Sequence, residues 1–311
     1  LKIIQQIRQS EIDTAHIRKL SHLGYDITET DSLLSKQLLD ESLAKAIGIK
    51  QPNSTANCHR LLGIWFSNFG MADSALLHYR LSLAAARQKN SLYLMAGAWF
   101  NMGNIKYDNG EYDSCIHFFQ LSQKVFEDPK ILDAKEVKAN MIDKRKADLY
   151  RNLSNVFSTI GDIKKADEYI DKAINISQKY TSPAAALGTA YFMQSKASNY
   201  YDNGLVEKAL RTRIQYLPFM ESKINLKSTL ADSYNSIAHE YVELAKPDSA
   251  LIYAKKSMQI ANDIKQPSAV ANANFGLAEI FFHKKDYQQA TAYMQQAKEY
   301  VEQFENPHDK I

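Results

Sequence analysis

The 311-residue chain has only two cysteines, seven prolines and eleven glycines. Cys58 and Cys115 stand far apart in helical patterns with no partner motif, so neither a disulfide framework nor a metal site is expected. Both read as small core residues and free thiols. Scarce proline and glycine disfavour a turn-rich sheet fold and favour helices joined by short connections. No apolar run approaches the roughly 18 residues that a membrane-crossing helix needs. The longest candidates, such as LLGIWF, are the length of helix-core pieces. A net charge of +3 is too small to mark a nucleic-acid or membrane-surface protein. The densest basic stretch, DKRKADLYR, mixes in acids and reads as a solvated helix face. Also missing are a P-loop, a dinucleotide fingerprint, H-E-x-x-H and G-x-S-x-G, and the eight histidines show no close ligand spacing. No catalytic residue, cofactor, metal or nucleic-acid partner is therefore expected of this chain.

What is present is a repeat. With 45% hydrophobic and 23% charged residues, the chain can bury a large core but is longer than one typical core, so two domains or a repeat array is expected. The stretch WFNMGNIKYDNGEYDSCIHFF, 99–119, is echoed by YRNLSNVFSTIGDIKKADEYI, 150–170. Aligning them places a small residue at Gly103 and Ser154, a second twelve positions on at Cys115 and Ala166, and a third seven later at Ser122 and Ala173. The same ruler finds Gly63, Ala75 and Ser82; Ala197 and Ala209; Ala238, Ala250 and Ser257; and Ala278, Ala290 and Ala297. Between the first two marks lie turn-like stretches such as NFGMADSA, DNGEYDSC and TIGDIKKA, which separate one amphipathic helix from the next. Each unit is therefore expected to be a helical hairpin, with small residues where the paired helices approach and aromatics in the wider gaps.

This pattern resembles the tetratricopeptide repeat, carried best by Trp99, Met102, Gly103, Gly110, Cys115, Phe119 and Ser122, and it runs over about 55–300. The resemblance implies an all-α, right-handed superhelical solenoid of about seven hairpins. One departure is the period. The family repeats every ~34 residues, whereas successive first marks here are 40, 51, 43, 41 and 40 residues apart. Spacing inside each unit is constant, so each helix is expected to be about one turn longer at 3.6 residues per turn. The 51-residue step marks an insertion near 127–147, either extra helical turns or a lid. Residues 1–54 read as a degenerate N-terminal repeat, with EIDTAHIRKLSHLGYDI and TDSLLSKQLLDESLAKAIGIK as its two helices. The start without methionine and the end at 301–311 without a polar capping helix are expected of a chain trimmed from a longer protein.

In this family the first helix of each hairpin lines the concave face. Carrying its inward positions onto this chain selects Arg60, Asn104, Tyr107, Arg151, Asn155, Gln194, Tyr201, Asn235 and His239 as peptide- or partner-binding residues. Asparagine offers a donor and an acceptor to a peptide main chain, arginine a fork for carboxylates, and aromatics cover for apolar side chains. The alternative is that these residues only solvate the groove or bond within it. Stretches such as DSALLHYRLSLAAARQ and PDSALIYAKKSMQIAND are similar to sensor regions of bacterial membrane-bound regulators with a histidine-kinase or LuxR-type output. That resemblance implies a protein or peptide ligand and an extracytoplasmic location. A static assembly scaffold and a cytoplasmic peptide receptor are the competing expectations, and the oligomeric state is left open.

Overall fold

The computed structural model describes residues 2–134 and 137–305, and among them every regular element is helical. The α-helices are α1 (Lys2–Arg8), α2 (Thr14–Asp26), α3 (Ser32–Gly48), α4 (Pro52–Asn68), α5 (Ala72–Gln88), α6 (Leu92–Asp108), α7 (Tyr112–Phe126), α8 (Ala139–Thr159), α9 (Ile163–Ser177), α10 (Pro183–Asp202), α11 (Val206–Glu221), α12 (Lys227–Glu243), α13 (Pro247–Ile264), α14 (Pro267–His283) and α15 (Tyr287–Glu305). Single 3₁₀ turns lie at Pro129–Asp133 and Ile224–Leu226. The chain forms two compact units, Leu1–Asn152 and Leu153–Ile311, with the boundary inside α8. Within each unit, consecutive helices pair as hairpins and each hairpin stacks on the next.

The scarce prolines have a clear placement. Pro52, Pro183, Pro247 and Pro267 open α4, α10, α13 and α14, where a missing N–H costs nothing. A side chain closes the start of α2, α3 and α9, and of α10 as well: Asp13, Asp31, Asp162 and Ser182 accept from the amides of His16, Leu34, Lys165 and Ala185. The turn inside a hairpin needs a left-handed residue. Gly70, Gly110, Gly161 and Gly204 supply it at φ between 71° and 83°. In the last two hairpins Ala245 and Lys285 take that conformation without glycine, at φ 56° and 62°.

The ruler of small residues is the core of every hairpin. Ala75, Cys115, Ala209 and Ala250 are fully buried, Ala166 is nearly so, and Ala290, in the last hairpin, is 9% exposed. Glycine at the first mark goes with a ring on the second helix. A Cβ on Gly63 would lie 2.6 Å from Tyr79 Cδ1, and one on Gly103 would lie 2.5 Å from Phe119 Cδ1, so neither glycine can gain a methyl without moving a buried ring. The third mark does more than stay small. Ser82, Ser122 and Ser257 donate to the carbonyls of Ala56, Ala96 and Ala231 at 2.7, 2.9 and 2.8 Å. Those acceptors sit seven residues before each first mark. Alanine occupies that place in all six clear units, at Ala56, Ala96, Ala147, Ala190, Ala231 and Ala271, and all are buried.

The long period now has an account. Helices α4, α5 and α6 are 17 residues each, joined by three-residue turns, which makes a 40-residue step. The insertion near 127–147 resolves into the 3₁₀ turn and an N-terminal extension of α8, a 21-residue helix; residues 135 and 136 lie outside the described part. At the N-terminus α2 and α3 form a further hairpin, closed where a Cβ on Gly24 would be 3.2 Å from Leu38 Cβ. The additional helix α1 packs Ile4 against Leu20 and Leu38. Of the C-terminal stretch 301–311, residues 306–311 lie outside the described part.

Candidate functional site

All nine candidate residues sit on first helices, α4, α6, α8, α10 and α12, and all nine are half-buried. The first unit holds Arg60, Asn104, Tyr107 and Arg151, and the second holds Asn155, Gln194, Tyr201, Asn235 and His239. Half-burial is what a lined face requires. A side chain held at its base by packing keeps its polar end available.

Several of these ends are engaged by the next first helix. Asn152 Nδ2 donates to Asn104 Oδ1 at 2.7 Å, tying α8 to α6 and leaving the Asn104 amide N–H groups to point elsewhere. Gln194 Nε2 donates to the Thr229 carbonyl at 3.2 Å and to Ser233 Oγ at 3.1 Å, tying α10 to α12. Tyr201 Oη meets His239 Nε2 at 2.8 Å, and His239 Nδ1 meets Glu279 Oε2 at 2.9 Å, so one relay crosses α10, α12 and α14. The hydrogen bond to Glu279 raises the His239 pKa above its ordinary value. Burial, then Glu243, raises the Tyr201 hydroxyl. Asn235 packs over Gly276, where a Cβ would lie 3.3 Å from Asn235 Cγ. Its buried Oδ1 has no hydrogen-bond partner among the described residues.

The other candidates have different surroundings. Arg60 directs Nη2 and Nε to Asn57 Oδ1 at 2.9 and 3.3 Å, and burial, then the nearby Arg145, lowers its pKa. The Tyr107 ring lies 5.9 Å from that of Tyr112. The side chains of Arg151 and Asn155 form no hydrogen bond or ion pair with any described residue. Near Arg151, Asp148 has its pKa raised by burial against the pull of Arg145, Arg151 and Lys144.

Arg60 also lines a narrow open cleft with Tyr93, Gly97, Phe100, Asn101 and Arg145. Sequence reasoning missed Arg145 because it falls in the long step between units, where the ruler assigns no position. It missed Asn152 and Glu279 as partners because the residue each one holds is about forty residues away, on another hairpin. Among the described residues no cluster of three or more His, Cys, Asp or Glu could hold a metal ion, and no helix is long and apolar enough to cross a membrane.

A stack of helical hairpins closed by small residues is a repeat scaffold, and the comparisons with known proteins give its class. The tetratricopeptide repeat model matches residues 147–180 and 231–264, so the α8–α9 and α12–α13 hairpins are tetratricopeptide repeats. Each match begins at an alanine of the row described above. The array is a protein-interaction module. Response regulator aspartate phosphatase J of Bacillus subtilis is 21% identical over 194 residues, 62% of this chain; the chain spans 46% of the length of that relative. The crystal structure of the apo form of RapI superposes with a TM-score of 0.69 at 17% identity, covering 92% of this chain and 77% of that one. A signal transduction ATPase from Pyrococcus horikoshii, described as having a tetratricopeptide repeat sensor, gives a TM-score of 0.52 at 14% identity, covering 90% of this chain and 42% of that one. At these identities the structural likeness shows the fold.

Proposed function

We propose that the chain is a non-catalytic module that binds an extended peptide or partner segment along its first helices, as the sensor region of a bacterial signalling or transcriptional regulator. The observation that carries this is the set of half-buried polar side chains on the first helices of each unit, Arg60, Asn104, Tyr107 and Arg151 in the first and Asn155, Gln194, Tyr201, Asn235 and His239 in the second; Arg151, Asn155 and the amide N–H groups of Asn104 keep free hydrogen-bonding capacity among the described residues. Such groups pair with a peptide main chain at little ordering cost, because their stems are already fixed by packing. The sensor role draws support from a relative that acts on response regulators by its name and from a fold neighbour described as carrying a sensor of this repeat. An extracytoplasmic location, implied by the regulators it resembles, belongs to the same proposal. Ties between first helices would couple occupancy to hairpin spacing, since a ligand that fits one spacing better shifts the array toward it.

The test is a pull-down with the whole chain to identify a partner, followed by its affinity for the Asn104→Ala/Asn155→Ala double variant. Loss of two peptide hydrogen bonds should weaken binding by roughly 1–3 kcal/mol, about five-fold to more than a hundred-fold. Unchanged affinity, together with loss on altering exposed positions of the second helices, would replace the groove with a static scaffold.

A further inference from the structure

The α4–α5 hairpin carries a contact that its sister hairpins lack. Four residues before the first mark and three after the second, the helices of a hairpin place two side chains at one level. Those places hold Trp99 and Phe118, Met193 and Thr212, or Tyr234 and Tyr253, the last pair with ring centroids 6.0 Å apart. Among the six clear units only the first has histidine at either place, and it has histidine at both, His59 on α4 and His78 on α5. A place that the scaffold fills with rings and apolar groups has thus been given two metal-ligating side chains together. Their Nδ1 atoms lie 3.1 Å apart, with ring centroids at 5.2 Å and planes at 53°. That shared hydrogen bond is the one side-chain hydrogen bond of either residue among the described residues. Both histidines are half-buried and keep contact with solvent. Phe66 stacks on the His78 ring at 5.1 Å and holds its plane. The charged side chains that act on His78 are Lys36 and Asp40 of α3, which neutralise each other through a 2.6 Å ion pair, with the Lys36 ammonium 5.3 Å from the Phe66 ring.

We propose that His59 and His78 form an open site for one divalent transition-metal ion of the zinc, nickel or copper class, held by the two Nδ1 atoms with water in the remaining positions. The separation suits such an ion. Two nitrogens bound to one metal at ~2.0–2.1 Å stand about 2.9 Å apart at a right angle and about 3.3 Å apart at a tetrahedral angle, and 3.1 Å falls between them. A small tilt of each ring turns both lone pairs onto the ion. The proton that lies between the nitrogens moves to Nε2 of the ring that carried it, so no proton is released, and one neutral hydrogen bond is exchanged for two coordinate bonds. Imidazole selects this class of ion over magnesium and calcium, which take oxygen ligands. Two protein ligands make a weaker site than a closed four-ligand centre, and they leave positions open for a donor from elsewhere.

The experiment uses the whole chain, free of any affinity tag and labelled with ¹⁵N at histidine, and follows the ring nitrogens in long-range ¹H–¹⁵N spectra at neutral pH. Zinc chloride is the probe and magnesium chloride the control. Before zinc, one ring of the pair should show a protonated Nδ1; with zinc, both rings should show the Nε2–H tautomer. Signals of His59 and His78 should move on one curve that saturates at one ion per chain, with half-saturation at least tenfold below that of any other histidine, and magnesium should move neither. Zinc should also raise the melting temperature. His59→Phe, which gives α4 a ring of the kind its sister helices carry, should abolish both the saturable shift at His78 and the rise in melting temperature. His59→Gln is the second variant, with the same expected outcome should phenylalanine disturb folding. Absence of a saturable shift, similar affinities at all histidines, which would mean an adventitious ion only, or an unchanged His78 curve in the variants overturns the proposal.

Discussion

The glycine at the first mark of the α6–α7 hairpin offers a sharp test of how these hairpins close. Gly103→Ala adds one methyl to a helix, where alanine is ordinarily better than glycine by about 1 kcal/mol. Here the methyl carbon would sit 2.5 Å from Phe119 Cδ1, and Phe119 is only 1% exposed, so the ring has no solvent into which to retreat. Overpacking of this kind costs about 1–3 kcal/mol. Net destabilisation of up to about 2 kcal/mol should therefore replace the expected gain. Phe119→Ile, which copies Ile170 at the same register beside Ser154, should cost about 1–2 kcal/mol alone by removing buried volume. In the double variant the methyl occupies space that the ring has left, so the costs should fall short of additivity by at least ~1 kcal/mol. Gly188→Ala is the control, since a Cβ there meets nothing within 4 Å, and it should stabilise α10 by about 0.5–1 kcal/mol. Urea unfolding followed by circular dichroism, with hydrogen exchange of α6 and α7 to localise the effect, gives the measurement, because repeat arrays need not unfold as one unit. Strict additivity, or a stabilised Gly103→Ala variant, would refute the close-approach account.

His59 and His78 face each other across α4 and α5 with Nδ1 atoms 3.1 Å apart, and burial, then His78, lowers the His59 pKa from 6.5 to about 4. A lowered folded value means stability that is present above 6.5 and lost as pH falls toward 4, with a ceiling of ~3 kcal/mol that solvent screening cuts to about 1–2. The urea midpoint should fall over that window, and His59→Phe should flatten the fall; a profile identical to the parent's would exclude the pair as its source. In the second unit the Arg213 guanidinium donates to buried Glu240 at 2.6 Å and to Ser198 at 3.1 Å. Arg213→Met should cost about 3–5 kcal/mol by stranding a carboxylate whose pKa burial already raises, and Glu240→Leu in the same chain should restore much of it; equal midpoints for the single and double variants would contradict this.

The hairpin core was legible because size is a repeated signal. A small residue at a contact point appears in six units at one spacing, and chance does not reproduce that. The matching row of alanines from Ala56 to Ala271 was equally regular but went unread, since alanine is common and only the serine-to-carbonyl bonds show what it faces. Of the candidate site, only the helix that carries each residue was legible. A sequence places Tyr201, His239 and Glu279 on three separate helices, yet their joining into one relay depends on how successive hairpins stack, which no local pattern records. Gln194 follows the same logic, with partners on α12. Arg145 was invisible for a different reason. Its helix begins before the repeat does, so a reading indexed to the repeat had no place for it.

The serine bridges that join the two helices of a hairpin have a consequence for how such a chain can change its length. Every span from acceptor alanine to donor serine is 26 residues, and each closes within one unit. A residue gained or lost inside that span would throw the hydroxyl out of reach of its carbonyl and turn the small marks away from each other. Outside the span there is no such ruler. The long step of this chain lies there, between the end of α7 and Ala147, as do the modest gains that stretch the other steps. Evolution by insertion and deletion is therefore channelled into the seams between hairpins, where it alters how one unit meets the next and leaves the fold of each unit intact.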